Sequence, residues 1–73
     1  MDRFREWAYL WLEDVAARPS RPQHGWQPVA VDPSDVDRLV EYWEGILKGT
    51  TTHLQLLDFM RALVQQYQTR GAP

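Results

Sequence analysis

The chain has 73 residues, a formal net charge of −2 and no cysteine. This length allows one small hydrophobic core and lies near the lower limit for independent folding. The lack of cysteine excludes a disulfide framework and a thiolate metal site. The sequence contains no run of about 18 apolar residues and no leader-like opening segment, so we expect a cytoplasmic protein with no membrane partner.

The first predicted element is an amphipathic helix over residues 3–17. Its apolar side chains recur at the helical period and form one stripe, which consists of Phe4, Trp7, Ala8, Trp11, Leu12 and Val15. Tyr9 and Leu10 lie outside this stripe. We expect the following loop to cover them, and the alternative is that they belong to a contact surface.

A proline-rich arm follows over about residues 18–32. Residues 18–33 contain four prolines, each of which lacks a backbone N–H and restricts the residue before it, so we expect no regular helix. Trp26, Val29 and Val31 favour an ordered arm that lies across the helices. Trp26 is its predicted anchor, and the alternative is that Trp26 only fills the core.

The second helix is predicted over residues 33–48. Asp32 is its predicted N-cap and Gly49 its C-cap. Its buried stripe consists of Val36, Leu39, Val40, Trp43, Ile46 and Leu47. Tyr42 and Gly45 are predicted on its outer face, where a glycine would allow another backbone to approach closely.

The third helix is predicted over residues 53–69. Thr52 and Gln55 have the spacing of a capping box at its start. Its apolar residues cover a broad arc that indicates contact with two neighbours, and they are Leu56, Leu57, Phe59, Met60, Leu63, Val64 and Tyr67. The three patterns together predict an all-α fold, a small three-helix bundle in one domain over residues 1–73, with the arm between helices one and two.

Catalytic and metal-binding groups are sparse. Ser20 lies in the proline-rich loop, Ser34 lies in a helix start, and Lys48 is the one lysine, so no nucleophile beside an oriented base is indicated. His24 and His53 lack the spacing of metal ligands, and His53 is predicted to face inward. We therefore expect no enzyme, no cofactor and no metal site.

A DNA-binding function is an alternative, because two helices joined by a short glycine-containing turn have the outline of a helix-turn-helix. The third helix would be the reader, and Gln55 and Arg61 are its candidate base contacts. Asp58 beside them and the acidic second helix oppose phosphate, so we expect that nucleic acid is not bound directly. An acidic patch that imitates phosphates, formed by Asp35, Asp37, Glu41 and Glu44, is a further alternative.

The leading prediction is a non-catalytic protein–protein interaction module. Seven arginines against one lysine, together with aromatic residues outside the helix stripes, are typical of an interface. The predicted contact residues lie on the first helix, the arm and the second helix, and they are Tyr9, Leu10, Arg18, Arg21, Trp26, Asp35, Arg38, Glu41 and Tyr42.

In size, acidity and lack of catalytic groups the chain resembles the small host-takeover proteins of bacteriophages. This resemblance implies a protein that binds a host enzyme complex, such as RNA polymerase or a CRISPR defence complex, and inhibits or redirects it. The resemblance assigns no residue. A self-associating assembly or chaperone protein, including a homodimer, is equally compatible with the composition.

Overall fold

Three α-helices form the fold in a computed structural model, which describes residues 2–18 and 24–70. Helix α1 spans Asp2–Ala17, α2 spans Pro33–Lys48 and α3 spans His53–Arg70. Each helix contacts both of the others, and the described residues contain no strand. The predicted all-α three-helix bundle is therefore confirmed.

Local sequence signals determine where α2 begins and ends. The Asp32 carboxylate accepts a hydrogen bond from the Ser34 N–H at 2.9 Å, and Pro33 occupies the first turn. Gly49 adopts a left-handed conformation with φ of 81°, which a glycine reaches without the steric cost of a Cβ atom. Both predicted caps are confirmed.

The start of α3 is fixed by the predicted capping box. The Gln55 side chain accepts a hydrogen bond from the Thr52 N–H at 2.8 Å. In return, the Thr52 hydroxyl accepts one from the Gln55 N–H at 3.1 Å. Two N–H groups that the helix itself leaves without partners are satisfied in this way.

The core is one layer of buried side chains shared by the three helices. Leu12, Leu39 and Leu63 lie at its centre, one from each helix, and are almost completely buried. Around them lie Ala8, Ala16, Val36, Leu56 and Tyr67. The small side chains of Ala8 and Ala16 allow neighbouring elements to approach α1 closely.

The buried arcs are narrower than the apolar stripes predict. Trp7, Leu47 and Leu57 were assigned to the core, but all three are exposed. Three short helices cover only the centre of each stripe, so residues at its edges stay in solvent. His53 is also exposed rather than turned inward.

Gly45 has a role different from the predicted one. It is buried, not on the outer face, and it lies beneath the turn that follows α2. A Cβ atom at this position would lie 2.8 Å from the Cβ of Thr51. The Gly45 carbonyl also accepts hydrogen bonds from the N–H groups of Thr50 and Thr51, at 2.8 and 3.1 Å. The backbone that approaches closely is therefore the chain's own turn.

The described part of the arm, residues 24–32, packs against the helices as predicted. The Trp26 indole N–H donates a hydrogen bond to the Gln68 carbonyl at 3.3 Å. Val29 and Val31 are partly buried against the core. This part of the arm is thus fastened to α3, and Tyr9 and Leu10 on α1 remain exposed.

Candidate protein-binding surface

A buried hydrogen-bond network joins α2, α3 and the end of the arm. The Tyr67 hydroxyl donates to the Asp35 carboxylate at 2.6 Å and accepts from the Asp32 N–H at 2.9 Å. Burial, and then the hydrogen bond to Asp35, raise the pKa of the Tyr67 phenol above its ordinary value. At its ordinary pKa of about 10 the phenol already carries its proton at neutral pH, and it acts as a donor within the fold.

This network corrects the prediction for Asp35. Asp35 was placed on the contact surface, but only 7% of the residue is exposed. A fully buried tyrosine requires a partner for its hydroxyl, and Asp35 supplies that partner. No buried side-chain nitrogen or oxygen in the described part of the chain lacks a hydrogen-bond partner. Asp35 consequently contributes to the fold and is not available to another protein.

The other predicted contact residues of α2 are divided between the surface and the packing. Arg38 and Glu41 are exposed. Tyr42 is half-buried, and its ring stacks on Phe59 of α3 with centroids 4.8 Å apart. Tyr42 therefore joins α2 to α3 with one side of its ring.

The predicted contact residues of α1 and the arm differ in their surroundings. Tyr9 borders a shallow cleft between α1 and α2, whereas Leu10 is 56% exposed; the expected cover by the loop is absent from the described residues. Arg18 is exposed and pairs with Asp14 at 3.2 Å. Trp26 is held by Gln68 as described above, and Arg21 lies outside the described residues.

A ladder of stacked aromatic rings runs from α2 onto α1. Trp43 stacks on Phe4 with centroids 4.9 Å apart, Phe4 lies 5.4 Å from Trp7, and Trp7 stacks on Trp11 at 6.2 Å. The spacing of Phe4, Trp7 and Trp11 along one helix is the sequence signal for this ladder, because residues three and four apart are neighbours on a helix. Trp7 is 47% exposed even though it is stacked.

Beside this ladder, α1 and α3 form an open groove of about 330 Å³. We call it the α1–α3 groove; its apolar residues are Trp11, Leu57, Met60 and Val64, and its polar residues are Arg61, Gln65 and Gln68. Leu57 is 49% exposed, so the apolar surface is open to solvent. None of these residues was predicted to contact another protein; Arg61 was predicted only as a base contact in the DNA-binding alternative. The helical period of the apolar groove residues in the sequence does not show whether a neighbouring element buries them or leaves them exposed.

The surface of α3 that would read DNA in the helix-turn-helix alternative offers few contacts. The Gln55 side chain is already engaged in the capping box. Arg61 lies beside Asp58, with 4.0 Å between the charged groups. A phosphate at this surface would therefore meet an acid together with the base.

The described residues contain no group of three or more His, Cys, Asp or Glu side chains placed to hold a metal ion. Within residues 2–18 and 24–70, no helix has the length and apolar character needed to cross a membrane. Comparison of the chain with protein-family models, curated proteins and solved structures finds no match.

Proposed function

We propose that the protein is a non-catalytic interaction module that binds an apolar helical segment of another protein in the α1–α3 groove. The observation that supports this proposal is the exposed apolar floor of the groove, where Leu57 is 49% exposed beside Trp11, Met60 and Val64. Contiguous exposed apolar surface on a small soluble domain commonly marks an interaction site.

The shape and chemistry of the groove suit an amphipathic helix. Two neighbouring helices form a furrow, and a third helix can lay its apolar face into such a furrow. Met60 has a flexible thioether side chain that adapts to different apolar partners. At the edge of the groove, Arg61, Gln65 and Gln68 provide donors for acidic or polar residues that flank the partner's apolar stripe.

The aromatic ladder favours tight binding. Trp11 is held by stacking on Trp7, so little side-chain freedom remains to be lost when a partner docks. A pre-positioned tryptophan in the centre of a contact is a frequent source of binding energy. We also propose a cytoplasmic location and a partner within a large enzyme complex that the protein inhibits or redirects, as the resemblance to small phage proteins implies.

A charge placed in the groove tests this proposal. Leu57→Arg would bring an unpaired cation against the apolar partner, and we expect at least a tenfold loss of bound partner. Gln66→Arg is the matched control, because it adds the same charge to an exposed position of α3 outside the groove. Partners captured from a bacterial lysate would be quantified by mass spectrometry for both variants.

Equal capture by Leu57→Arg and Gln66→Arg would overturn the groove as the binding site. Circular dichroism must show that both variants remain helical, which is expected because both positions are exposed. The captured complex would then be assayed with and without added protein. An unchanged activity at saturating protein would contradict the inhibitor part of the proposal.

A further inference from the structure

The outer surface of α1 carries a row of residues that is separate from the α1–α3 groove. Arg3, Trp7, Leu10 and Asp14 are spaced four, three and four residues apart, so they lie in one line along the helix. This is the spacing of a helix that pairs with another helix. We call these four residues the α1 row.

The α1 row is open to solvent. Arg3 and Asp14 are exposed, and the two central residues are large and apolar, with Trp7 47% and Leu10 56% exposed. The Trp7 ring is held in place by Phe4 and Trp11 on either side of it. The row therefore presents a rigid apolar centre between a positive end and a negative end.

The charges at the two ends of the α1 row are complementary to those of a second copy when the two helices run antiparallel. If a second copy of α1 is turned antiparallel about an axis midway between Trp7 and Leu10, Trp7 meets Leu10 of the second copy, and Arg3 meets its Asp14. Both contacts occur twice, as in any twofold interface. A parallel pair would instead place arginine against arginine and aspartate against aspartate, which is unfavourable.

We propose that two copies of this chain associate through antiparallel pairing of their α1 rows. The proposal goes beyond the binding of another protein and uses a different surface. The exposed groove residue Leu57 lies on α3, whereas the groove residue Trp11 meets the row by stacking on Trp7. A second copy would cover the parts of Trp7 and Leu10 that the described residues leave exposed.

Neighbouring charges set the strength of the pair. Asp14 already contacts Arg18, but both side chains are exposed and such surface pairs are weak, so Asp14 can also accept a hydrogen bond from Arg3 of the second copy. Glu6 and Glu13 lie on one flank of the row and would approach the same residues of the second copy. This approach of like charges weakens the pair, and salt reduces the repulsion because these carboxylates are exposed.

The interface is small. Two four-turn helices bury less than the roughly 800 Å² per partner of a standard stable complex. We therefore expect a dissociation constant in the micromolar range or weaker, and a monomer at high dilution. Because the attraction is partly ionic, the charged ends determine the orientation more than the affinity.

Sedimentation velocity from about 1 µM to about 1 mM protein measures the association. Arg3→Glu places an acid against Asp14 of the second copy in both contacts, and Asp14→Arg does the same with two bases. Each variant should weaken the dimer by about tenfold. The double variant Arg3→Glu/Asp14→Arg exchanges the charges and should return the dissociation constant to within about threefold of the original value.

Lys48→Glu is the matched control, because it reverses an exposed charge on α2, outside both the α1 row and the α1–α3 groove, and should leave the association unchanged. Leu10→Arg should give a monomer throughout the concentration range. A monomeric wild-type chain at about 1 mM would overturn the proposal. The proposal would also be overturned if neither single charge reversal changed the dissociation constant, which is the result that parallel pairing predicts. It would be overturned as well if the double variant did not regain the wild-type dissociation constant. A dimer lost in Leu57→Arg but not in Leu10→Arg would assign the contact to the groove and would likewise overturn it.

Discussion

Tyr67 and Trp7 are both large aromatic residues on helices of the same bundle, but their rings lie in opposite surroundings. Tyr67 is completely buried, and its hydroxyl makes hydrogen bonds to Asp35 and Asp32. Trp7 is 47% exposed and is held by stacking on Phe4 and Trp11. A buried polar group must find its partners within the fold, whereas a half-exposed ring can gain contacts from another molecule. The hydrogen bonds of Tyr67 therefore stabilise the fold on the α2–α3 side, whereas Trp7 leaves apolar surface exposed on α1.

The largest expected contrast is between two leucines of α1. Leu12→Ala removes a fully buried side chain, and we expect the free energy of unfolding to fall by about 3–5 kcal/mol. Leu10→Ala makes the same chemical change on the outer surface, where we expect less than about 0.5 kcal/mol. Urea unfolding of both variants at a concentration where the chain is monomeric measures this contrast. Similar losses for the two variants would mean that the outer surface is part of the core.

Tyr67→Phe tests the polar part of the α2–α3 side. The ring remains, but the buried Asp35 carboxylate and the Asp32 N–H lose a partner, so we expect a loss of about 2–3 kcal/mol in the free energy of unfolding. Tyr42→Phe is the matched control, because its ring is half-buried and keeps its stacking on Phe59. If both variants unfold at the same urea concentration, the network does not stabilise the protein.

Gly45→Ala should reverse the usual preference of helices for alanine. The new methyl group would collide with Thr51, so we expect a loss of about 1–2 kcal/mol despite a helix-propensity gain of about 1 kcal/mol. At the exposed position 62 of α3 alanine should be preferred to glycine as usual in helices, so we expect Ala62→Gly to lower the free energy of unfolding by about 1 kcal/mol. Thermal unfolding followed by circular dichroism compares the two. A stabilised Gly45→Ala protein would show that the turn does not press on this glycine.

Alkaline pH should gradually lower the free energy of unfolding through the ionisation of Tyr67. Its pKa is raised by folding, so the folded chain retains a proton that the unfolded chain releases. The associated stability is fully present below the ordinary tyrosine pKa of about 10 and is lost as pH rises through the raised value. Unfolding free energies measured from about pH 9 to about pH 11.5 should fall more steeply for the wild type than for Tyr67→Phe. Parallel curves would contradict this assignment.

The sequence predicts the fold well because its signals are local. Asp32, Gly49 and the Thr52–Gln55 box each satisfy backbone groups within a few residues, so their effect can be read without knowledge of the tertiary structure. The helical period likewise places Leu12, Leu39 and Leu63 at the centre of the core. Helix bounds and the centres of the apolar stripes are thus accessible from sequence alone.

The candidate surface is harder to predict from the sequence, because the exposure of a residue depends on how far the neighbouring helices extend over it. Trp7 and Leu57 have the period of core residues, but the bundle is too narrow to cover them. Asp35 was misplaced for the opposite reason: it is charged, yet it occupies the same arc as Val36 and Leu39. An acidic residue on the buried arc of α2, together with Tyr67 in the buried stripe of α3, was the sequence signal that could have predicted the buried hydrogen bond between them.

The hydrogen bond between Tyr67 and Asp35 connects residues separated by 32 positions. Such a distant contact requires closure of a long loop, so we expect it to form late, after the α2–α3 hairpin has assembled. Removing a contact that forms late accelerates unfolding and leaves the folding rate nearly unchanged. We therefore expect Tyr67→Phe to unfold faster than the wild type at a nearly unchanged folding rate, and to be cleaved sooner wherever a protease acts faster than the chain refolds.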